Sequence, residues 1–264
     1  MPIDFERQAA VTAVQFLTRI PLPGGMNVPE PDRRLLSASV GYFPWVGGAI
    51  GLTTGLVAWG ASQVLPAAVA VGLALAFEAW LTNAFHEDAV ADCCDAFGGG
   101  WTRDDVLRIM KDSRVGSFGT LGLLLAVGLR WSCLQSLAQS AGGAMVPTCL
   151  AAGAVGRWAI LRMMATIAPI PSRDGLSRDV GSQPTTARLW LGSAGMLAWG
   201  GPWIWLNPLR ALLTVGLVLL CVAAWSRYVQ RRLGGVTGDC LGCQCYLAQL
   251  LVLMVACAQR AGAE

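Results

Sequence analysis

Apolar residues in this chain are grouped in blocks of about 20, and short charged or glycine-rich segments separate the blocks. A helix of this length crosses the hydrocarbon core of a bilayer, which is about 30 Å thick. We predict seven membrane-spanning helices, at Val40–Ser62, Leu65–Phe85, Phe118–Leu137, Met145–Ile167, Leu189–Leu206, Leu209–Ser226 and Leu241–Cys257. The pattern therefore indicates an all-α fold, a polytopic integral membrane helical bundle that residues 1–264 form as a single domain.

Short interfacial helices are expected beside the spans. Residues 1–39 carry four arginines and a proline-rich segment, which is typical of an amphipathic helix at the membrane surface. Thr102 and Asp105 form a T-x-x-D capping box, which predicts the start of a short amphipathic helix at Arg103–Lys111.

Glycine spacing in the first predicted span favours close helix packing. Gly47, Gly51 and Gly55 recur at every fourth residue, so they lie on one face of the helix. Small residues at this spacing let two membrane helices approach closely.

The charged connections indicate how the chain is threaded. The amino-terminal segment and the linkers Arg103–Arg114, Arg173–Arg188 and Arg227–Arg232 fall on one side of the membrane and hold 14 of the 19 basic residues. Basic residues collect on the cytoplasmic side of membrane proteins. We therefore expect these segments to face the cytosol.

Composition excludes several other classes of protein. Apolar residues make up 55% of the chain and charged residues 13%, which is too apolar for a soluble core, and a net charge of +3 gives no reason to expect nucleic acid as a partner. The first ten residues contain no apolar leader, so no removable signal peptide is expected. The nine cysteines are predicted to be reduced, since the adjacent Cys93 and Cys94 would make a poor structural disulfide.

The stretch from His86 to Gly119 concentrates the polar chemistry of the chain. Asp88, Asp92 and Asp95 are spaced i, i+4 and i+7, so their carboxylates lie within about 60° of one helix face. Aligned carboxylates favour a hard cation such as Mg²⁺, although a solvated helix face gives the same pattern. His86, the only histidine, fits either a proton carrier or a polar residue at the membrane interface.

Basic residues follow the acidic stretch. Lys111, Asp112, Ser113 and Arg114 form a loop whose two cations are suited to a phosphate or diphosphate, or else anchor the chain at the cytosolic surface. Arg157 lies inside a predicted span together with Arg162, and a structural ion pair and a substrate contact are equally open for it.

A second glycine-rich segment, GGVTGD at Gly234–Asp239, opens the last span. Backbone N–H groups at such a helix start bind anions, so Thr237 and Asp239 are candidate substrate-binding residues. Asp239 is also a candidate helix cap.

These motifs together resemble the cobalamin synthase family, whose activity is that of adenosylcobinamide-GDP ribazoletransferase. The resemblance rests on His86-Glu87-Asp88, Asp92, Asp95, Gly98–Gly100, Met110–Arg114 with Gly116, and GGVTGD, with FLTRIPLP and YFPWVGG nearer the amino terminus. The chain departs from the family pattern at Ala89 and Ala96, where glycine is expected after an aspartate.

The resemblance implies a Mg²⁺-dependent transferase in the bacterial cytoplasmic (inner) membrane, with its active site facing the cytosol. Its substrates would be adenosylcobinamide-GDP and α-ribazole or the 5′-phosphate, and its products GMP and adenosylcobalamin or the 5′-phosphate. Association with other enzymes of late cobalamin assembly, or with a second copy of the chain, remains open. The resemblance implies that the metal ligands are Asp88, Asp92 and Asp95 with Glu87. The proton acceptor would be Asp95 or His86. The substrate contacts would be Lys111, Asp112, Ser113, Arg114, Arg157, Thr237 and Asp239.

Two other functions are compatible with acids on a membrane helix. A CDP-alcohol phosphotransferase also aligns aspartates, but its D-G-x-x-A-R pattern is absent here. Asp88 is followed by Ala89, and Cys93 stands where the pattern has arginine. An ion-coupled transporter would use the acids to carry protons or cations, but the chain has no internal repeat.

Overall fold

The computed structural model describes residues 3–23, 26–139, 143–170 and 183–258. Within these ranges the chain is built from α-helices joined by short connections. The helices are α1 (Ile3–Leu17), α2 (Arg33–Ser39), α3 (Phe43–Ser62), α4 (Ala67–Thr82), α5 (Phe85–Gly99), α6 (Arg103–Ile109), α7 (Ser117–Gln139), α8 (Met145–Thr166), α9 (Thr186–Leu206), α10 (Pro208–Leu233) and α11 (Gly238–Ala258). The predicted all-α membrane fold is confirmed. Residues 173–182 of the predicted linker Arg173–Arg188 lie outside the described residues.

Four helical segments in the described ranges are long and apolar enough to cross a membrane. They are Arg33–Ser62, in which a 3₁₀ turn joins α2 to α3, and the helices α7, α10 and α11. Helices α4 and α5 pass the same test only when they are taken together as one bent span. The expected count of seven spans is not confirmed, because α4 has only 16 residues and because α8 and α9 do not meet the test.

Helix α8 forms the centre of the bundle. Of its 22 residues 17 are buried, and it packs against α3, α9 and α11. A Cβ at Gly51 would lie 2.1 Å from the Cys149 carbonyl oxygen, and one at Gly47 would lie 2.3 Å from that of Gly153. The predicted close packing along the glycine face of α3 is therefore confirmed, and α8 can carry arginines because other helices shield it from lipid.

A sharp bend between α4 and α5 sets the direction of the acidic helix. The two helix axes differ by 88°, and both connecting residues have left-handed backbone, with φ of 57° at Asn83 and 53° at Ala84. That conformation costs a non-glycine residue roughly 1–2 kcal/mol. The segment after α1 supports the bend, because the Arg19 N–H donates to the Leu81 carbonyl (2.9 Å) and the Arg19 guanidinium donates to the Asn83 side chain.

Two smaller predictions also hold, one for the start of α6 and one for the cysteines. Thr102 and Asp105 cap each other's backbone N–H groups at the start of α6, which is the predicted capping box, although α6 ends at Ile109 rather than Lys111. All nine cysteines are free, as predicted.

Candidate active site

Helix α5 turns its acidic face away from the bundle. Asp88 is exposed and Asp92 is half-buried, whereas His86, Val90 and Cys93 on the other side are buried. Among the described residues neither the Asp88 nor the Asp92 carboxylate has a hydrogen-bond or ion-pair partner. Two unpaired carboxylates therefore lie one helical turn apart on an accessible face.

Asp95, the third member of the face, binds the start of α7. Its two carboxylate oxygens accept the backbone N–H groups of Gly116 (2.6 Å) and Gly119 (2.8 Å). A Cβ at either glycine would come within 2.5 Å of this carboxylate, so side chains are excluded there. A role of Asp95 as metal ligand or proton acceptor stays a prediction; in this structure its carboxylate holds α5 against α7.

Asp239 approaches the acidic face from another helix. It lies in the first turn of α11, and its charge acts on Asp92 together with those of Asp88 and Asp95. The two helices can come close because Gly242 of α11 has no side chain. A Cβ at Gly242 would lie 2.6 Å from the Ala89 methyl of α5. The departure from the family pattern at Ala89 is thus accommodated by a glycine on α11. We name Asp88, Asp92, Asp95 and Asp239 the acidic cluster.

Glu87 does not join the acidic cluster. It points to the α7 side of α5, where its carboxylate lies 3.4 Å from an Arg130 guanidinium nitrogen. Arg130 also pairs with Glu78 of α4 at 2.6 Å, and the Thr54 hydroxyl donates to Glu78 at 2.7 Å. The role of Glu87 as a metal ligand therefore stays a prediction; in this structure its carboxylate is the partner of a buried arginine.

His86 and Arg157 face the interior of the bundle. His86 is 3% exposed, and its Nε2 has no hydrogen-bond partner among the described residues. Arg157 is 1% exposed and donates to the Gly153 carbonyl at 3.5 Å. Neither side chain lies on the acidic face, so the geometry does not favour His86 as a proton acceptor or Arg157 as a substrate contact there.

The loop after α6 leads directly into Gly116, whose backbone N–H donates to Asp95. Lys111, Ser113 and Arg114 are exposed. Arg114 donates to both oxygens of Asp112, with a closest distance of 2.6 Å, and this hydrogen bonding lowers the pKa of Asp112 to about 2. Asp112 is therefore ionised at neutral pH and holds the Arg114 side chain over the loop.

Thr237 has a structural position in the GGVTGD segment. It is 2% exposed; its hydroxyl accepts the Cys240 N–H at 3.2 Å and contacts the Met110 sulfur at 3.4 Å. Gly234 ends α10 with φ of 73°, and Val236 pairs with the backbone of Ala168. A substrate contact at Thr237 stays a prediction; in this structure its side chain caps α11 inside the protein.

Sequence reasoning missed the partner of Glu87. Arg130 lies 43 residues away along the chain, in the middle of another predicted span. The signal that could have found the pair is the need of each charge inside an apolar span for an opposite charge.

The donor chemistry of the acidic cluster suits Mg²⁺. Mg²⁺ takes one or two carboxylates and fills its remaining positions with water and phosphate oxygens, and Asp88 and Asp92 offer such a pair. No three His, Cys, Asp or Glu side chains within the described ranges converge as ready-made metal ligands. The residues therefore fit an ion that is shared with a phosphorylated substrate better than one enclosed by protein.

Comparison with known proteins finds one family and many relatives. The family model described as cobalamin-5-phosphate synthase (CobS) matches residues 9–257. The chain is 37% identical to a protein of Ralstonia pickettii over 93% of each chain, and 39% identical to one of Leptothrix cholodnii over 90% of each. A protein of Ralstonia nicotianae is 37% identical over 92% of each chain, and all three are named adenosylcobinamide-GDP ribazoletransferase. No solved structure matches.

Proposed function

This chain belongs to the cobalamin-5-phosphate synthase family, and we propose that the acidic cluster on α5 and α11 is where its transfer reaction takes place. Its activity is that of an adenosylcobinamide-GDP ribazoletransferase, in late nucleotide-loop assembly of vitamin B12. The adenosylcobinamide phosphate moiety passes to α-ribazole or its 5′-phosphate, and GMP is released. Family membership replaces the alternative hypotheses of a CDP-alcohol phosphotransferase and an ion-coupled transporter.

The reaction exchanges a phosphoanhydride bond for a phosphoester bond. The 3′-hydroxyl oxygen of the ribazole forms a bond to the cobinamide-side phosphorus, and the bond from that phosphorus to GMP breaks. Displacement at a diphosphate depends mainly on positioning and on neutralising the oxygen charges. A site for it needs cations close to the diphosphate and no covalent nucleophile of its own.

The unpaired carboxylates of Asp88 and Asp92 are the observation that supports this site most directly. We assign them to one Mg²⁺, which when bound would neutralise charge on the substrate phosphates. Asp239 lies across from them on α11, and the loop beside α7 supplies Lys111 and Arg114 for the diphosphate oxygens. Asp95 takes a positioning role, since both of its oxygens accept backbone N–H groups.

The site is proposed to face the cytosol at the inner membrane. The loop Lys111–Arg114, the basic end of α10 and the start of α11 lie at one end of the bundle, because Arg232 of α10 donates to the Gly100 carbonyl (2.6 Å) beside α6. Basic residues concentrated at one end favour the cytosolic side. Since α5 lies at 88° to α4, its acidic face would lie along this membrane surface if α4 crosses the bilayer.

Release of GMP by the purified chain tests the proposal. We expect GMP only when adenosylcobinamide-GDP, α-ribazole and Mg²⁺ are all present, and we expect EDTA to stop its release. Asp92→Asn should lower kcat at least about 100-fold, since it removes charge stabilisation of several kcal/mol. Asp104→Asn is the matched control, because Asp104 is 93% exposed on α6 and lies outside the acidic cluster.

The outcomes separate the parts of the proposal. No GMP release under any of these conditions would reject the transferase activity for this chain. Release that persists in EDTA would reject the Mg²⁺ assignment alone. A fully active Asp92→Asn variant would move the site away from the acidic cluster.

A further inference from the structure

A cleft of about 360 Å³ lies where the end of α8 meets the last turns of α10. Its size is in the range of pockets that bind small molecules. Helix α10 is a candidate membrane span, and only 28% of its most apolar stretch is buried, so much of its surface faces outward. The polar residues that line the cleft are Thr166, Ser226, Arg227, Gln230 and Arg231.

The two arginines of the cleft are Arg227 and Arg231. Arg227 and Arg231 are one turn apart and exposed, and neither has a hydrogen-bond or ion-pair partner within the described ranges. Arg232 beside them is satisfied, because it donates to the Gly100 carbonyl (2.6 Å) and to the Tyr228 hydroxyl (3.1 Å). On this helix end the Arg232 guanidinium is therefore engaged beside α5, whereas the part of the chain that the structure describes offers no partner to the two arginines beside α8.

Hydroxyl groups complete the polar end of the cleft. The Thr166 and Ser226 oxygens lie 3.2 Å apart, so the two hydroxyls join α8 to α10 below the arginines. Hydroxyls and guanidinium groups together form the usual surroundings of a phosphate group.

The rest of the same helix face is apolar. Leu220 and Leu213 lie 7 and 14 residues before Arg227, hence on nearly the same face of α10, and are 66% and 54% exposed. At 1.5 Å per residue Leu220 lies about 10 Å from Arg227 along the axis, within the roughly 15 Å depth of one leaflet. The face thus offers an anion site at one end and a path for acyl chains below it.

We propose that this cleft binds one anionic phospholipid, with the headgroup phosphate between Arg227 and Arg231 and the acyl chains along the face that Leu220 exposes. Basic pockets between membrane helices on the cytoplasmic side bind anionic headgroups in this way. A free phosphate would use the arginines but would leave the apolar face unused. The site is separate from the acidic cluster and does not depend on the proposed function.

Lipid titration of the delipidated full chain in detergent, followed by native mass spectrometry, tests the site. We expect dioleoylphosphatidylglycerol to bind at one site about ten to thirtyfold more tightly than dioleoylphosphatidylcholine. The variant Arg227→Gln/Arg231→Gln should lose this preference, and Arg227→Lys/Arg231→Lys should keep most of it. The control Arg7→Gln/Arg108→Gln removes the same charge from exposed positions of α1 and α6 and should bind as the wild type does.

Three results would overturn the proposal. One is equal phosphatidylglycerol affinity in the wild type and the glutamine variant. Another is inorganic phosphate binding as tightly as the lipid, which would indicate a soluble ligand; the third is a protein partner that requires both arginines and displaces the lipid. Should the glutamine variant fail to fold, a salt series on the wild type decides, because salt must weaken phosphatidylglycerol binding and leave phosphatidylcholine binding unchanged.

Discussion

Removing the Arg130 side chain should destabilise the protein more than any single exposed charge does. Arg130 and Glu78 are paired at 2.6 Å with side chains only 7% and 5% exposed, and Glu87 is the second partner of the arginine. Arg130→Met leaves both carboxylates without their cation inside the bundle. Breaking a buried pair from one side costs about 3–5 kcal/mol, or roughly 6–20 °C in Tm at 2–4 °C per kcal/mol.

The reasoning also predicts that a second substitution restores stability. In Glu78→Gln/Arg130→Met the more deeply buried uncompensated charge is removed, so the double variant should melt at a higher temperature than Arg130→Met. Thermal unfolding of detergent-purified protein measures both, and Arg108→Met is the control, because its pair with Asp105 is exposed and contributes less than about 1 kcal/mol. A double variant that melts at or below the single variant would refute the assignment of the penalty to unpaired charge.

Three further predictions concern the contacts around the site. Asp95→Ala should lower the free energy of unfolding by about 1–2 kcal/mol, because two N–H groups at the start of α7 lose their acceptor. It should also lower turnover. An unchanged Tm in thermal unfolding would contradict the role of Asp95 in holding α5 against α7. Gly51→Ala should lower Tm by several degrees, since its methyl would lie 2.1 Å from a carbonyl oxygen of α8, whereas Gly60→Ala, with open space around it, should not. A Ser113→Cys thiol should react with a membrane-impermeant maleimide in inside-out vesicles, and labelling only in intact right-side-out vesicles would reverse the proposed orientation.

Local patterns were enough to predict many of the elements. The glycine face of α3, the capping box of α6 and the acidic face of α5 each depend on residues within two or three turns of one another. Helix periodicity alone places such residues on one face. For the same reason Asp88 and Asp92 could be recognised as neighbours from their spacing.

The sequence did not predict which side chains of distant segments contact each other. Glu87 is next to Asp88 in the chain, but about 100° of helix rotation turns it toward Arg130 and away from the acidic face. Thr237 belongs to a segment that looks suited to anion binding, but packing of Met110 against it makes it an internal cap. Which neighbour a polar group meets is decided by the bundle, and no local pattern encodes it.

The bend between α4 and α5 was missed for a different reason. Neither Asn83 nor Ala84 is glycine or proline, so the sequence contained no breaker there. Their left-handed backbone is held by contacts from the segment after α1. The number of candidate spans depends on this bend, because α4 and α5 count as a span only when they are taken together.

Asp95 accepts two hydrogen bonds from the start of α7, where the loop after α6 ends. This contact couples the loop that carries Lys111 and Arg114 to α5. We therefore expect the loop and the acidic helix to move as one unit when the large corrinoid substrate enters or leaves.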